Sequence, residues 1–432
     1  MREKFLSVII PVFNTKIKLL KKCIHSVAQL NVDDVEVIII DDFSNQKTQS
    51  FLKKIKKKNI KVYRNSKNKG ISYSRNLGVK LSNSSYITFV DSDDYIFEDK
   101  FNSIKNSIIR NKNPNITVTK FDTNYFKLLN NKKFKDKNFK FKKKEEIIYN
   151  FSKVNFKPFW HFETVWCLFF NKEFLLKNKI KFENKCYRNE DQDYVVKSFF
   201  LSRKTLIINE KFYFYKIHGE NIRHDSSISS IKMFNGNLRL IENLVNFFRK
   251  NKFKDSINNF PLTILDGLIV SSIPFAYKLK NQSLSKMNKL INQTKIIFKK
   301  SFLTQSKLNF LTVTKKLDVF FSKTINFRVK DDIYIYCAFD GSIPIIKYLN
   351  QKKIIIKGII DSNKNLQNKL FFNIKIFNLN EAYKNYLKNK NAIILVTHPE
   401  NKTYLKIRTQ IIKEGFPANN IKNIGYKKIF KL

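Results

Sequence analysis

Across the first ninety residues, short apolar runs alternate with stretches of helical periodicity, and that alternation leaves few folds open. Residues 7–13, 35–40, 60–63 and the run ending at Asp91 read as strands. Residues 16–30, a stretch reaching Lys57 and residues 72–81 read as helices, the last entered through a break at Gly70. Near-continuous apolar strands separated by helices predict a parallel sheet covered on both faces. Ligands of such sheets bind beyond the carboxyl ends of the strands. Three of those ends are polar here: Pro11-Val12-Phe13-Asn14, Asp41-Asp42 and Asp91-Ser92-Asp93.

The last of these is the most abrupt. A fully apolar run stops in three carboxylates, Asp91, Asp93 and Asp94. On extended backbone residues i and i+2 point the same way, so Asp91 and Asp93 can converge on one ion while Asp94 faces elsewhere. A small set of hard oxygen donors suits Mg²⁺ or Mn²⁺, which keep several waters and bind substrate phosphates. The plainer alternative is an acidic turn that caps the next helix.

Four motifs in order carry a resemblance to a known family. They are Val8-Ile-Ile-Pro-Val-Phe-Asn14, Ile38-Ile-Ile-Asp-Asp-Phe-Ser44, Gly70-Ile-Ser-Tyr-Ser-Arg-Asn-Leu-Gly78 and Phe89-Val-Asp-Ser-Asp-Asp94. Together they look like family 2 glycosyltransferases of the GT-A fold, over roughly residues 5–225. The resemblance implies transfer of a sugar from a nucleotide-diphosphate donor, UDP by preference, to an acceptor hydroxyl with inversion. It places Pro11 and Phe13 beside the nucleotide base. Asp42, or Asp41, then accepts a hydrogen bond from a uracil-type N–H, or else Asp42 or Ser44 caps a helix. Gly70 permits a turn that side chains would block. Arg75 suits either the diphosphate or the acid cluster, because its guanidinium is a fixed fork of donors. Asp91 and Asp93 are the ribose and metal candidates, with Asp93 the direct ligand. Phe43 departs from the family, which has Gly after the Asp pair, and alters the turn near the base.

Inverting transfer also needs a base opposite the leaving group. Glu190, Asp191 and Asp193 precede the apolar positions Val195, Val196, Phe199 and Phe200, so they open a helix, where the dipole favours acids. The position resembles the family's Glu-Asp motif, whose second acid is the usual base; Asp191 is therefore the first candidate and Glu190 the second. His218, in Tyr213-Phe-Tyr-Lys-Ile-His-Gly-Glu-Asn221, resembles a residue of the segment that closes over the diphosphate, as a further metal or phosphate contact. Trp160 and Trp166, with His161 and Glu163 nearby, offer an aromatic face for a sugar acceptor. Aromatics flanking Val165 to Phe170 read better as core.

The formal charge of +48 invites a nucleic-acid partner, yet of 83 basic residues only 11 are Arg and 72 are Lys. Nucleic-acid readers favour Arg for bidentate contacts, and abundant Lys, Asn, Ile and Phe share AT-rich codons, so nucleic acid is not expected. A basic surface is still drawn to anionic lipid headgroups. The densest run, residues 127–144, holds nine Lys among Phe134, Phe139 and Phe141 and reads as a solvated insertion, with membrane or anionic-glycan binding as alternatives. No signal peptide opens the chain, and residues 261–277 are too short and too broken by Asp266 and Pro274 for a typical span. Cys23, Cys167, Cys186 and Cys337 lack metal-type spacing and fit a reducing cytoplasm, at the inner membrane face.

The chain is long enough for more than one domain. Residues 1–225 are assigned to the catalytic domain, 226–330 to a helical region, and 331–432 to a second, smaller α/β domain resembling the Rossmann-like units appended to sugar transferases. In that unit the phosphate-binding glycines would fall on Cys337, Phe339 and Ser342, and none is Gly, which argues against a dinucleotide and for a structural or oligomerising role. The overall expectation is an α/β transferase acting on a glycan or lipid-linked acceptor in bacterial surface polysaccharide synthesis. A nucleotidyltransferase and a noncatalytic basic adaptor for membranes or polyanions are the alternatives.

Overall fold

The computed structural model describes residues 3–123, 146–149, 164–184, 186, 189–216, 230–251, 265, 268–269, 272, 281–297, 332–337, 342–363, 366–368, 370–371, 373–398 and 401–424. The chain divides into two compact units, one of residues 1–218 and 239–265, the other of residues 219–238 and 266–432.

The first unit begins as the alternation requires. Strands β1 (Lys4–Val12), β2 (Val35–Asp41), β3 (Ile60–Arg64) and β4 (Ser84–Phe89) are separated by helices α1 (Ile17–Ala28), α2 (Gln46–Lys53) and α3 (Ile71–Leu81). They pair in parallel in the order β3-β2-β1-β4, with Val8 opposite both Val37 and Thr88. Val8, Ile9, Ile10 and Val37 to Ile40 are fully buried, which explains runs without polar alternation. Burying such side chains contributes about 1.5–3 kcal/mol each, so the register of these strands is strongly specified.

Beyond β4 the sheet turns mixed. Its further strands are β5 (Tyr95–Ile96), β6 (Ile116–Thr123), β7 (Glu146–Tyr149), β8 (Leu168–Asn171) and β9 (Thr205–Tyr215), with helices α4 (Phe101–Arg110), α5 (Lys172–Lys177) and α6 (Glu190–Leu201) between them. The order continues β4-β8-β6-β9-β5, and β8 runs antiparallel to both β4 and β6. Strand β5 pairs antiparallel with β9, Tyr95 opposite Phe214, so the chain after the acid turn folds back beside Tyr213. Trp166 is buried and stacks on Tyr213 and Tyr215 at 4.9 and 5.4 Å, the core role expected of it. Trp160, His161, Glu163 and residues 127–144 lie outside the described residues.

Close approach of α3 to β1 sets up the site. A Cβ added at Gly78 would stand 2.4 Å from Ile9 Cγ2, so only glycine lets the helix lie this near the sheet. Arg75, one turn earlier on the same face, is thereby carried in over the strand ends.

The second unit holds β10 (Asp332–Tyr336), β11 (Ile356–Ile360), β12 (Leu370–Phe371), β13 (Ile374–Phe377), β14 (Ala392–Val396) and β15 (Ile421–Asn423). Their order is β12-β13-β11-β10-β14-β15, parallel except for β12, with helices α9 (Ile343–Gln351), α10 (Leu379–Asn389) and α11 (Asn401–Lys413). It is the Rossmann-like arrangement expected of this region. In the sequence, α7 (Ser230–Lys250) and α8 (Asn281–Ile297) fall between β9 and β10. Leu265, Leu268 and Ile269 are helical and buried, as the apolar stretch around them predicts. Among the described residues no helix is long and apolar enough to cross a membrane.

Candidate active site

Arg75 is the centre of the arrangement. Its Nη1 donates to Glu190 Oε1 at 3.0 Å and Asp191 Oδ1 at 2.5 Å, and its Nη2 donates to Asp91 Oδ1 at 2.8 Å. The guanidinium is 1% exposed and lies 5.2 Å above the Phe182 ring, which stacks in turn on Tyr194. Charge-assisted bonds from one planar fork hold three carboxylates of two separate chain segments in fixed relation. Of its two sequence alternatives, Arg75 therefore meets the acid cluster. Those acids push the guanidinium's affinity for its proton further up against burial.

Asp191 stands in the first turn of α6 with Glu190 and Asp193, as the sequence predicts. Among the described residues its Oδ2 meets the Val165 N–H alone, at 3.4 Å, and is thus the less engaged oxygen. Burial pushes its carboxyl up to about 8, against the lowering pull of Arg75 and with help from Glu190 and Asp91. Asp193 faces inward and pairs with Lys197 at 2.7 Å; burial pushes it up to about 6. It is a structural acid of the helix.

The acid segment after β4 is not the extended backbone expected but a turn, closed by the Asp94 N–H donating to the Asp91 carbonyl at 3.0 Å; Asp94 nevertheless faces away from the other two acids, into the interior. Asp94 is buried, accepting from the Tyr213 hydroxyl and the Lys216 N–H, both at 2.6 Å. The same hydroxyl oxygen accepts the Asp91 N–H at 3.2 Å. Tyr213 thus clasps the acid turn onto β9. Burial, then Asp93 and Asp91, hold the Asp94 carboxyl well above the usual range. Asp91 keeps Oδ2 beyond its bond to Arg75, and Asp93 is partly exposed on the same turn. Two carboxylates of this kind fit a divalent ion that retains water and phosphate oxygens; among the described residues no third His, Cys, Asp or Glu completes a closed metal cage. His218 lies outside the described residues.

The exits of β1 and β2 form a second cluster. Asp42 accepts the Lys69 N–H at 2.8 Å and Asn65 Nδ2 at 2.7 Å on one oxygen, and the Gly70 N–H at 2.7 Å on the other. Asp41 accepts the Ser44 N–H at 2.9 Å and pairs with Arg64. Both acids are buried and anchor loops. Neither is a helix cap, nor is Ser44: the cap of α2 is Asn45, which accepts from the Thr48 N–H. Gly70 has φ 86° with open space where a Cβ would stand, so the turn itself demands glycine. Pro11 is buried in β1, whereas Phe13 beyond it is 51% exposed.

Sequence reasoning thus named the acids and their arginine but missed the residues that hold them. Arg64 and Asn65 carry no motif, and Tyr213 opens the segment quoted for His218 without a role of its own; pairing of β9 with β5 brings it to Asp94.

Residues 7–177 match the family model described as glycosyl transferase family 2. An uncharacterized glycosyltransferase of Rickettsia bellii is 40% identical over 100 residues, 23% of this chain and only 14% of that relative's length. A Campylobacter jejuni GalNAc(5)-diNAcBac-PP-undecaprenol beta-1,3-glucosyltransferase is 28% identical over 257 residues, covering 58% of this chain and 77% of the relative. Among solved structures, S. aureus TarS residues 1–349 in complex with UDP-GlcNAc superposes with a TM-score of 0.53 at 17% identity, over 75% of this chain and 94% of that one. The fold is GT-A-like, and the motifs are similar to those of family 2 glycosyltransferases. The family 2 match is confined to residues 7–177, and the chain spans less than half the length of the first curated relatives it matches.

Proposed function

We propose that the protein is an inverting glycosyltransferase that moves a sugar from a UDP-sugar to a hydroxyl of a glycan or lipid-linked acceptor in bacterial surface polysaccharide synthesis. The observation that carries this reading is the bridge from Asp191 through Arg75 to Asp91, which ties an acid suited to proton abstraction to one suited to the donor. The undecaprenol-linked substrate in the Campylobacter relative's name and the UDP-GlcNAc in the TarS complex support the acceptor and donor classes.

In this reaction the acceptor oxygen attacks the anomeric carbon as its proton passes to Asp191 Oδ2. The bond to the nucleoside diphosphate breaks, and its electron pair leaves with the phosphate. Arg75 fixes Asp191 Oδ1 and so aims Oδ2, and burial keeps that carboxylate basic enough to accept a proton. Asp91 and Asp93 would hold Mg²⁺ or Mn²⁺, which when bound supplies charge neutralisation to the leaving diphosphate. The excess of Lys gives the chain an affinity for the anionic membrane face where lipid-linked acceptors lie.

The test is a panel of nucleotide-sugars incubated with an undecaprenyl-diphosphate-linked glycan, comparing wild type with Asp191→Asn. Transfer by wild type, with the variant binding donor but leaving acceptor unmodified, is the expected result. A folded wild type that hydrolyses or transfers from no donor overturns the reading.

A further inference from the structure

Phe43 is the one place where the second motif departs from its family, and the structure shows what the departure costs and what holds it. Its backbone is left-handed, φ 66°, the conformation that glycine adopts freely and a bulky side chain rarely does. Such outliers persist where surroundings enforce them, and they cluster at ligand sites. Here the enforcement is explicit. Arg64, bound to Asp41 and to the Ser44 carbonyl, places its guanidinium 4.9 Å from the Phe43 ring centre. The ring is nevertheless 49% exposed, so burial of apolar surface does not account for it.

A second exposed aromatic stands on the neighbouring strand. In the register of β1 and β2, Val12 lies opposite Asp41, which puts Phe13 and Phe43 at adjacent strand exits. The two exits are stitched together: the Asn14 N–H donates to Ser44 Oγ at 3.1 Å, and the Asn45 N–H to Asn14 Oδ1 at 2.7 Å. Asn14 is itself left-handed, φ 53°. Two half-exposed rings are thus fixed at the sheet edge on which the acid turn also opens.

We infer that Phe43, standing where the family pattern has Gly, is a nucleobase-contacting residue that forms with Phe13 an aromatic mouth for the base of the donor. A flat ring braced by a cation from beneath offers a rigid face to a planar base, and base–aromatic contacts tolerate either pyrimidine or purine. The inference rests on the nucleotide-sugar reading above and adds a residue that the family resemblance does not supply.

Phe43→Gly separates this role from a structural one, because the two predict opposite signs. Relief of the left-handed strain raises the melting temperature, while loss of the ring weakens nucleotide binding by about tenfold. UDP and GDP, each with saturating Mg²⁺, are titrated calorimetrically into full-length wild type, Phe43→Gly and Phe43→Trp, with magnesium pyrophosphate as a ligand lacking a base. Expected are weaker nucleoside-diphosphate binding by Phe43→Gly, recovery in Phe43→Trp, and unchanged pyrophosphate binding. Equal nucleotide affinity in wild type and Phe43→Gly overturns the role of Phe43 while the proposed function stands. Wild type that binds neither UDP nor GDP overturns both.

Discussion

Arg75 Nη1 lies 2.5 Å from Asp191 Oδ1, joining residues 116 positions apart in the chain. The same nitrogen also bonds Glu190, and the other terminal nitrogen bonds Asp91. Geometry of this kind makes the arginine a positioning residue for the proposed base and for the donor-side acid at once.

Replacing Arg75 by Met would leave three carboxylates facing one another with no cation between them. Removing one partner of a buried ionic network destabilises by about 3–5 kcal/mol. Urea unfolding should show a loss of that order, with transfer abolished. Arg75→Lys retains charge but not the fork, so it should recover part of the stability and little of the transfer. Undiminished transfer by Arg75→Lys would refute the positioning role.

The raised carboxyl of Asp191 gives two pH predictions of opposite sign. As a base it must be ionised, so kcat/KM should climb as pH passes through about 8 and level off above. Stability should move the other way. The folded carboxyl is raised above the roughly 3.9 of an unfolded chain, so the folded form holds the extra proton between these values and loses that advantage as pH rises through about 8. Asp191→Asn should flatten this part of the stability profile and lower transfer by about 10²–10⁴. A variant that keeps the same pH–rate limb would remove Asp191 from the role.

Tyr213→Phe tests the clasp between β9 and the acid turn. The variant deletes the hydroxyl that donates to Asp94 and accepts from the Asp91 backbone, leaving Asp94 only the Lys216 N–H among its described donors. A loss of about 1–3 kcal/mol is expected, since a buried carboxyl is left short of a hydrogen-bond partner. Thermal melts and donor titration should both register it. Asp94→Asn, which keeps an acceptor oxygen for the hydroxyl, should be milder.

Chelation probes the proposed ion directly. Transfer should cease in EDTA and return with Mn²⁺ or Mg²⁺. Asp93→Ala should need far more added cation for half-maximal rate while its fold, followed by circular dichroism, is unchanged. Full activity of the chelated wild type would eliminate the metal from the proposal.

The fold was legible wherever apolar runs are uninterrupted by context. Strands β1 to β4 and helices α1 to α3 follow the sequence to within a few residues, because two-sided burial leaves a continuous apolar signature. Strand β14 coincides with residues 392–396 as read. Strands β13 and β15 leave no such signature: of their four and three residues only Ile376 and Ile421 are buried, too short and too exposed a pattern. The site divided in the same way. Asp91, Glu190 and Asp191 announce themselves through clustering and helix-start position. Their convergence on Arg75 depends on Gly78 letting α3 approach Ile9, a long-range packing event no local pattern encodes. Asp41 and Asp42 were visible as a pair, but their partners Arg64, Asn65 and Gly70 come from the next strand and its loop.

One guanidinium among three carboxylates leaves the cleft with an electrostatic surplus of anion. A bare diphosphate drifting in would be repelled at short range, the more so in dilute salt where screening is weak. In the proposed reaction the donor must therefore arrive already chaperoned by its counter-charge, which makes order of addition, and not affinity alone, the gate to turnover.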